Sequence, residues 1–543
     1  MLSRLVNFFL LSKEQKNFVN NNKKIFNYFS DKEKKSSKIL VEFNNWKPFH
    51  VSNSFLLNYL IKKYDAEAIS YEIFRNLHKE KSYFQILKWY LGNYFNLKTF
   101  YIYRSFNVKK FIRPKFSRKV YQLAQKEFIK NIVLLKKKSN IEKLVVNNIW
   151  IGDIFYDSYL KKFDKITIDI NSENLGNYFK EFLCIFFFWY EYIKENDVKA
   201  VLSSHGVYSF AIPLRIASYL KLDAFVANEQ KIYRYRKNDI SFKKNLTGNF
   251  SEYRFFKSTY ESFGKQKKRD ILKNGLNISK KISKKSQKLF YLNDEKIFKT
   301  KNIHKSLLKK KNLRVLISAH AFLDSPHAFG RHLFEDFSEW FKFLGKIINK
   351  TNYEWFIKPH PNKDETSIKA IYKFVNDNPK VKLINSHYNI NHISKMKIDF
   401  ALTIFGVVAR EYPLRKINVI NASKVNPHNL HNFSYTCENI KQYEKVLLNL
   451  RKFKYFPNKK DLNLYHYMND KYFNRNYLFE DFDKEVSKAK GIKNFYNNNF
   501  YKRWLNYSNQ MINKRIFNNI KNFEKSNDYA MSLKHQTDSN DNK

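Results

Sequence analysis

Three short polar segments in the second half of this chain combine residues that suit phosphate binding. The sharpest is Lys358-Pro-His360-Pro361. Its two prolines restrict the backbone on either side of His360, so the imidazole can be held rigidly to donate a hydrogen bond to a phosphate, and Lys358 adds a positive charge. The alternative is a turn in which His360 caps a neighbouring helix.

The other two segments also follow apolar runs. Gly406 opens a predicted helix, whose free N–H groups would form an anion site, and Glu411 is placed to accept hydrogen bonds from ribose hydroxyls. An ordinary turn, with Glu411 exposed or paired with an arginine, is the other interpretation. Ser318-Ala-His320 ends another apolar run, and His320 is predicted to contact a phosphate or an acceptor.

The histidines and cysteines do not form a metal-binding pattern. The spacings of His320, His327 and His332 match no common metal motif, and Cys184 and Cys437 have no CxxC partner. We therefore predict no metal and no cofactor.

Candidates for a catalytic base lie in the first half of the chain. Transfer onto a hydroxyl needs a group that removes its proton, and Asp153, Asp157 and His205 each follow a predicted strand. We prefer Asp157. The structural alternatives are a helix N-cap for Asp157 and a turn position for His205.

Two series of alternating strands and helices position these residues. Apolar runs predict strands at 38–43, 66–71, 143–147, 199–204 and 224–227, and again at 313–318, 354–358, 381–384, 399–403 and 417–420. This rhythm predicts an α/β protein with two Rossmann-like domains. Ligands of such sheets bind beyond the carboxyl ends of the strands, where the polar segments lie.

The predicted domain organisation has six parts. They are an N-terminal helical extension (1–35), a Rossmann-like acceptor domain (36–235), a helical linker (236–310), a Rossmann-like nucleotide-sugar-binding domain (311–450), a C-terminal helical extension (451–525) and a disordered tail (526–543).

The composition favours polyanionic partners. The chain has 543 residues, with 101 Lys and Arg against 49 Asp and Glu and a formal net charge of +52. Such a surface attracts nucleotides, anionic glycans, anionic lipids or nucleic acid. The apolar run 182–190 is too short to cross a bilayer. We expect a cytoplasmic protein; a peripheral position on the inner face of the cytoplasmic membrane is the alternative to a freely soluble one.

Residues 317–420 resemble the nucleotide-binding half of capsule polysaccharide and related surface-carbohydrate biosynthesis proteins. These proteins are similar in fold to Kdo and sialic acid transferases and to CDP-glycerol glycerophosphotransferases. The resemblance is carried by Ser318-Ala-His320, 333–340, the Lys358–Pro361 segment, and 402–406 with Glu411; in the first half it is carried by 151–160 and the strand–His205–helix segment.

The resemblance implies a GT-B architecture, in which two Rossmann-like domains face each other across a cleft. It implies donor contacts from His360, Pro361, Gly406 and Glu411, and a metal-independent transferase that uses a nucleotide-activated donor, with CMP- or CDP-linked donors favoured. The acceptor would be a glycan or a lipid-linked molecule. Val407 and Val408 depart from the family pattern, because small hydroxyl residues often follow this glycine.

Two other function classes compete with the transferase. A catalytically inactive scaffold of a polysaccharide assembly complex is compatible with the two valines. A nucleic-acid-binding protein is compatible with the charge and the many aromatic residues. Against it, the basic residues are spread along the whole chain and no RNA-binding motif is present. We therefore expect no nucleic-acid partner.

Overall fold

A computed structural model of the chain describes residues 11–26, 36–72, 83–284, 303–361, 364–473, 477–497 and 499–536. Two six-stranded sheets form its framework. Each sheet is covered by helices on both faces, as the long buried apolar runs require.

The first sheet and its helices occupy the N-terminal part of the chain. In chain order the elements are α1 (Lys13–Phe26), β1 (Lys38–Phe43), α2 (Lys47–Tyr64), β2 (Glu67–Glu72), α3 (Tyr83–Tyr94), α4 (Thr99–Arg104), β3 (Val108–Ile112), α5 (Arg118–Asn131), α6 (Lys138–Ile141), β4 (Val145–Val146), β5 (Ile149–Trp150), α7 (Gly152–Phe163), α8 (Glu173–Glu195), β6 (Val198–Ser203), α9 (Ala211–Tyr219), β7 (Asp223–Ala227) and β8 (Ile232–Arg234).

The strand order of this sheet is β3-β2-β1-β6-β7-β8, and only β8 is antiparallel to its neighbour. Reading the parallel strands in chain order gives 3-2-1-4-5, the order of a Rossmann sheet. Ile39, Leu40 and Val41 of β1 have no exposed surface, because this strand lies in the middle of the sheet. The strand predicted at 143–147 instead forms the separate hairpin β4–β5.

A linker region joins the two sheets. It contains the small hairpin of β9 (Ile240–Ser241) and β10 (Leu246–Thr247), followed by α10 (Phe256–Glu261) and α11 (Lys265–Lys284). The sequence predicted helices here but not the hairpin, whose strands are only two residues long.

The second sheet follows residue 310. Its elements are β11 (Arg314–Ser318), α12 (Phe337–Lys350), β12 (Glu354–Lys358), α13 (Glu365–Asp377), β13 (Val381–Leu383), α14 (Ile390–Lys395), β14 (Phe400–Thr403), α15 (Val408–Glu411), β15 (Asn418–Asn421), β16 (Tyr435–Thr436) and α16 (Ile440–Leu448). The order β13-β12-β11-β14-β15-β16, with all strands parallel, is the full Rossmann order 3-2-1-4-5-6.

The C-terminal helices return to the first domain. They are α17 (Lys459–Tyr467), α18 (Phe482–Lys488), α19 (Ile492–Tyr496), α20 (Phe500–Tyr507) and α21 (Gln510–Ser526). Helix α21 packs against α2, whereas α17 packs against α11 of the linker. A Cβ atom at Gly275 of α11 would lie 2.1 Å from the carbonyl oxygen of Asn463, so this close helix contact depends on the glycine.

The end of the chain differs from the predicted disordered tail. Ala530 pairs with Tyr233 of β8, and Tyr529 and Met531 are buried. The segment is held by apolar contacts and strand pairing that its polar composition does not reveal. Residues 537–543 lie outside the described part of the chain.

The α/β fold class predicted from the sequence is confirmed: two Rossmann-like domains face each other across a cleft, with helical extensions. The short strands β3, β8 and β16 at the sheet edges were not predicted. Within the described ranges, no helix is both long and apolar enough to cross a membrane.

Candidate functional site

The carboxyl ends of three neighbouring strands of the second sheet bring the predicted donor-binding residues together. Ser318 ends β11, Lys358 ends β12 and Thr403 ends β14. Strand β11 pairs with both β12 and β14, so the three ends lie side by side. The expected convergence of these segments is therefore present at one edge of the sheet.

Lys358 and Glu411 place opposite charges at this edge. Burial lowers the pKa of Lys358 to about 8, although Glu411 opposes the shift. Burial also raises the pKa of Glu411 to about 7, against the attraction of Arg410 and Lys358. The Oε1 atom of Glu411 is buried and has no hydrogen-bond partner among the described residues. The charges of Arg410 and Lys358 therefore do not fully offset the cost of burying the Glu411 carboxylate.

His360 follows Lys358 and is half-buried between its two prolines, of which Pro361 is buried. Burial and then the nearby charge of Lys358 lower the pKa of His360 to about 4. The ring is therefore neutral at pH 7 and carries one N–H.

His320 is held in one orientation by aromatic rings and hydrogen bonds. Its ring stacks on Phe337 with centroids 4.6 Å apart, and its Nε2 atom lies 3.0 Å from Oγ1 of Thr403. The backbone N–H of Ile404 also donates to Nε2 at 3.2 Å. Burial and the neighbouring His360 lower the pKa of His320 to about 3. A neutral ring that accepts at Nε2 carries its proton on Nδ1.

Gly406 lies directly beside these groups. A Cβ atom at this position would lie 2.7 Å from Oγ1 of Thr403 and 3.6 Å from Cε1 of His320, so any side chain here would crowd the edge. Helix α15 after it has only four residues and continues as a 3₁₀ turn at Tyr412–Arg415. The helix predicted to bind an anion through its N-terminus is thus a single turn, and its dipole is small.

His205 of the first domain lies close enough to Asp324, in the loop after β11, to affect the Asp324 carboxyl electrostatically. It follows β6, its side chain is exposed, and its Nδ1 atom lies 2.8 Å from Oγ of Ser204. Tyr208, three residues on, donates its hydroxyl proton to the carbonyl oxygen of Leu323 at 2.9 Å and accepts from the N–H of Ser325 at 3.0 Å. These bonds join the loop after His205 to the loop after β11.

Asp324 connects the two sides electrostatically. Burial raises the pKa of the Asp324 carboxyl, and the nearby charge of Asp364 adds to this effect. Lys161 and His205 act in the opposite direction, but the net pKa of Asp324 remains raised. Asp364 also acts on His360. Neither Asp324 nor Asp364 was assigned a role from the sequence, because a loop position between two polar segments is the only local signal that they carry.

Asp157 lies in a different environment, at the buried contact between the domains. Its carboxylate accepts from Nδ1 of His327 at 2.6 Å and from the backbone N–H of His327 at 3.1 Å. Nε2 of His327 lies 3.1 Å from Glu142. Burial opposes a charge on His327, but Asp157 and Glu142 outweigh it and raise the His327 pKa well above its ordinary value. Asp157 sits within helix α7 and not at its N-cap.

Asp153 is also enclosed. It forms a two-pronged ion pair with Arg215, in which Nη1 lies 2.6 Å from Oδ1 and Nη2 contacts Oδ2. Both side chains are almost fully buried. Of the three predicted bases, His205 is therefore the one whose side chain is exposed.

Metal binding is not indicated in the part of the chain that the structure describes. No group of three or more His, Cys, Asp or Glu side chains is arranged to hold an ion there. His327 and His332 are engaged instead by carboxylates and by Oγ of Ser423.

No protein-family model and no curated protein matches the chain. Solved structures do match it at low similarity. The β-Kdo 2,4-transferase KpsC of Thermosulfurimonas dismutans is 11% identical with a TM-score of 0.33, covering 51% of this chain and 85% of that one.

Two further solved structures align over more of the chain. A UDP-GlcNAc 2-epimerase of Methanocaldococcus jannaschii is 11% identical with a TM-score of 0.26, covering 79% and 97% of the two chains. A glycosyltransferase of Rickettsia africae is 8% identical with a TM-score of 0.23, covering 88% and 100%. These TM-scores are all below 0.5, so the fold assignment rests on the strand orders.

Proposed function

We propose that this protein is a metal-independent GT-B-type glycosyltransferase of bacterial surface polysaccharide biosynthesis. It transfers a sugar or polyol phosphate from a nucleotide-activated donor to a glycan or a lipid-linked acceptor. The second domain binds the donor and the first domain binds the acceptor. A CMP- or CDP-linked donor is part of the proposal, and it rests on the resemblance of residues 317–420 to the capsule family.

The observation that carries the proposal is the incompletely compensated polar edge of the second sheet. Lys358 and Glu411 titrate near neutrality, and His360 and His320 are neutral rings beside them. Perturbed groups of this kind at the carboxyl edge of a Rossmann sheet are typical of a ligand site. Lys358 and His360 supply positive charge and an N–H for the donor phosphate. Ser318, Pro361 and Gly406 shape the edge around it.

His205 is the proposed base, because its side chain is exposed and its loop contacts, through Tyr208, the loop after β11 of the second domain. The edge formed by the ends of β11, β12 and β14 in that domain is called the donor edge below. Asp153 and Asp157, the other predicted bases, are each occupied by a buried cation. A base in the first domain would remove the proton from the acceptor hydroxyl as this oxygen bonds to the transferred group, while the bond between that group and the donor nucleotide breaks and the nucleotide leaves.

Nucleotide binding is the direct test. We expect calorimetry with CMP, CDP, UDP and GDP to find binding of at least one of them, with the cytidine nucleotides preferred. His360→Ala should weaken it by about 1–3 kcal/mol, the range for losing a hydrogen bond to a charged group. His304→Ala, which changes an exposed histidine ahead of the second sheet, is the control. Equal affinity of wild type and His360→Ala would contradict the assigned role.

Nucleotide binding without transfer to any acceptor would favour the catalytically inactive scaffold over the transferase.

Attachment to an anionic membrane is a second part of the proposal. Helix α3 exposes an apolar stripe: Phe84, Leu87, Tyr90, Leu91 and Tyr94, followed by Phe95, are between 39% and 83% exposed. Residues 83–126 contain ten Lys and Arg and no Asp or Glu. Aromatic and aliphatic side chains within a basic region suit the headgroup layer of an anionic membrane.

Vesicle sedimentation tests this attachment. We expect the protein to bind phosphatidylglycerol vesicles at low salt and to be released at 1 M salt, where the Debye length is about 3 Å. Leu87→Glu with Tyr94→Glu should reduce binding at least tenfold. Tyr372→Glu, which changes an exposed tyrosine of the second domain, should not. Equal binding of both variants would remove α3 from the contact.

A further inference from the structure

Glu42 is a buried carboxyl group that the donor edge does not use. It lies near the end of β1 with no exposed surface. Three hydroxyl or amide groups of neighbouring residues surround its oxygens. Ser203 Oγ donates at 2.7 Å, the backbone N–H of Ser204 at 2.6 Å, and Asn44 Nδ2 at 2.8 Å. The Ser204 hydroxyl also lies 2.7 Å from each of its oxygens.

Ser204 joins Glu42 to the ring of His205. Its Oγ atom lies 2.7 Å from the Glu42 carboxyl oxygens and 2.8 Å from Nδ1 of His205. A hydroxyl carries one proton. Because the Glu42 oxygens serve as acceptors for the surrounding donors, the Ser204 proton points to Glu42. Its oxygen must then accept the N–H of His205 Nδ1.

We propose that Glu42 and Ser204 are positioning residues that fix His205 in the tautomer with its proton on Nδ1. The Nε2 atom then presents a lone pair to the cleft, which is the form a base requires. No described residue makes a hydrogen bond to Nε2. The arrangement follows the logic of the carboxylate–imidazole pairs of hydrolases, with a serine hydroxyl inserted between the two groups.

The hydrogen bonds that run from Glu42 through Ser204 to His205, called the relay below, are held in place by neighbouring strands and packed rings. Strands β1 and β6 are direct neighbours in the sheet, so Glu42 and residues 203–204 lie side by side although they are far apart in sequence. His205 packs between the rings of Phe49 and Phe210, with centroids 5.7 and 5.9 Å away. A Cβ atom at Gly206 would lie 2.7 Å from Oδ1 of Asn249, so the turn after His205 is also confined.

The tautomer can be measured without any substrate. Nitrogen NMR of protein labelled in its histidines reports which ring nitrogen carries the proton, and the His205 signals are assigned by their loss in His205→Ala. We expect the Nδ1–H form in the wild type. Ser204→Ala should shift the population towards the Nε2–H form. Glu42→Gln should do the same, because its amide can donate to Ser204 and turn the serine proton towards Nδ1.

Ser203→Ala is the matched control. It also removes a hydroxyl bonded to Glu42, but its Oγ atom contacts only the backbone of His205, at the carbonyl oxygen and the N–H, and not the ring. It should leave the tautomer unchanged. Ser204→Thr retains a hydroxyl and should restore the Nδ1–H form. An Nε2–H form in the wild type, or an unchanged tautomer in Ser204→Ala, would overturn the relay.

The catalytic consequence rests on the proposed function. In a transfer assay, Ser204→Ala should lower kcat roughly 10- to 100-fold, part of the roughly 10²–10⁴-fold that a base supplies, and leave the affinity for nucleotide unchanged. An unaltered kcat together with the expected tautomer change would overturn the catalytic role of the relay. If the tautomer changes as expected but the wild type transfers no sugar, the relay stands and the proposed function fails.

Discussion

The edge of the second sheet where we propose that the donor binds and the buried contact between the domains contain the same residue types, but the hydrogen-bonding groups of these residues are paired to different extents. At the contact, His327 is enclosed by the carboxyl groups of Asp157 and Glu142, and each ring nitrogen has an acceptor. At the donor edge, Glu411 keeps one oxygen without a hydrogen-bond partner among the described residues.

This difference separates charges whose hydrogen bonds are all made within the fold from a charge that, under the proposed function, is available to a ligand. When all the hydrogen bonds of a buried ion pair are made, removing either partner destabilises the folded protein. A buried charge with incomplete compensation already destabilises the folded state, which natural proteins tolerate at functional sites. Removing a charge should therefore have opposite effects on stability in the two regions.

The largest expected effect is at the contact between the domains. Asp157→Asn leaves His327 charged with only Glu142 beside it, so we expect the free energy of unfolding to fall by about 3 kcal/mol. Chemical denaturation measures this. Asp377→Asn, in the exposed pair of Asp377 with Lys373, should change it by less than about 0.5 kcal/mol. A loss of activity with unchanged stability would instead restore Asp157 as a candidate base.

Glu411→Gln should act in the opposite direction at alkaline pH. The Glu411 pKa is about 7 in the folded protein and 4.5 ordinarily, so the folded state binds more protons between these values. The destabilisation by charged Glu411 is fully present above pH 7 and disappears as the pH falls below 4.5.

We therefore expect Glu411→Gln to stabilise the protein by about 1–3 kcal/mol at pH 8 and to have little effect near pH 4. Thermal or chemical unfolding at several pH values measures the difference. Glu365→Gln, which changes an exposed carboxyl of α13, is the control. Destabilisation by Glu411→Gln at pH 8 would break the distinction between the two regions. Nucleotide affinity should fall in the same variant.

The smallest expected effect concerns Val407, whose side chain is 43% exposed beside Gly406. A hydroxyl here can donate to a phosphate, whereas the valine cannot. Val407→Ser should raise nucleotide affinity by up to about 1 kcal/mol, near the net value of one hydrogen bond. Val407→Ala controls for the change in size, and calorimetry of both variants decides. Equal affinities would mean that phosphate does not lie next to this residue.

The sequence predicted the framework because its signals are local. A buried parallel strand is a continuous apolar run, and ten such runs with helices between them indicated two Rossmann-like domains. The edge strands β3, β8 and β16 escaped prediction because short or half-exposed strands lack that run. The prolines beside His360 are likewise a local signal, and the strand end that they follow lies where it was predicted.

The tertiary structure alone decided which polar residues are paired and which are not. Asp157 and His327 are 170 positions apart, and Glu42 and Ser204 are 162 apart. No local pattern links them. The pKa of a carboxyl or an imidazole depends on burial and on neighbours brought together by the sheets. The sequence therefore determined that acidic and histidine residues follow the strands, whereas only the packing of the two domains enclosed Asp157 and left His205 exposed.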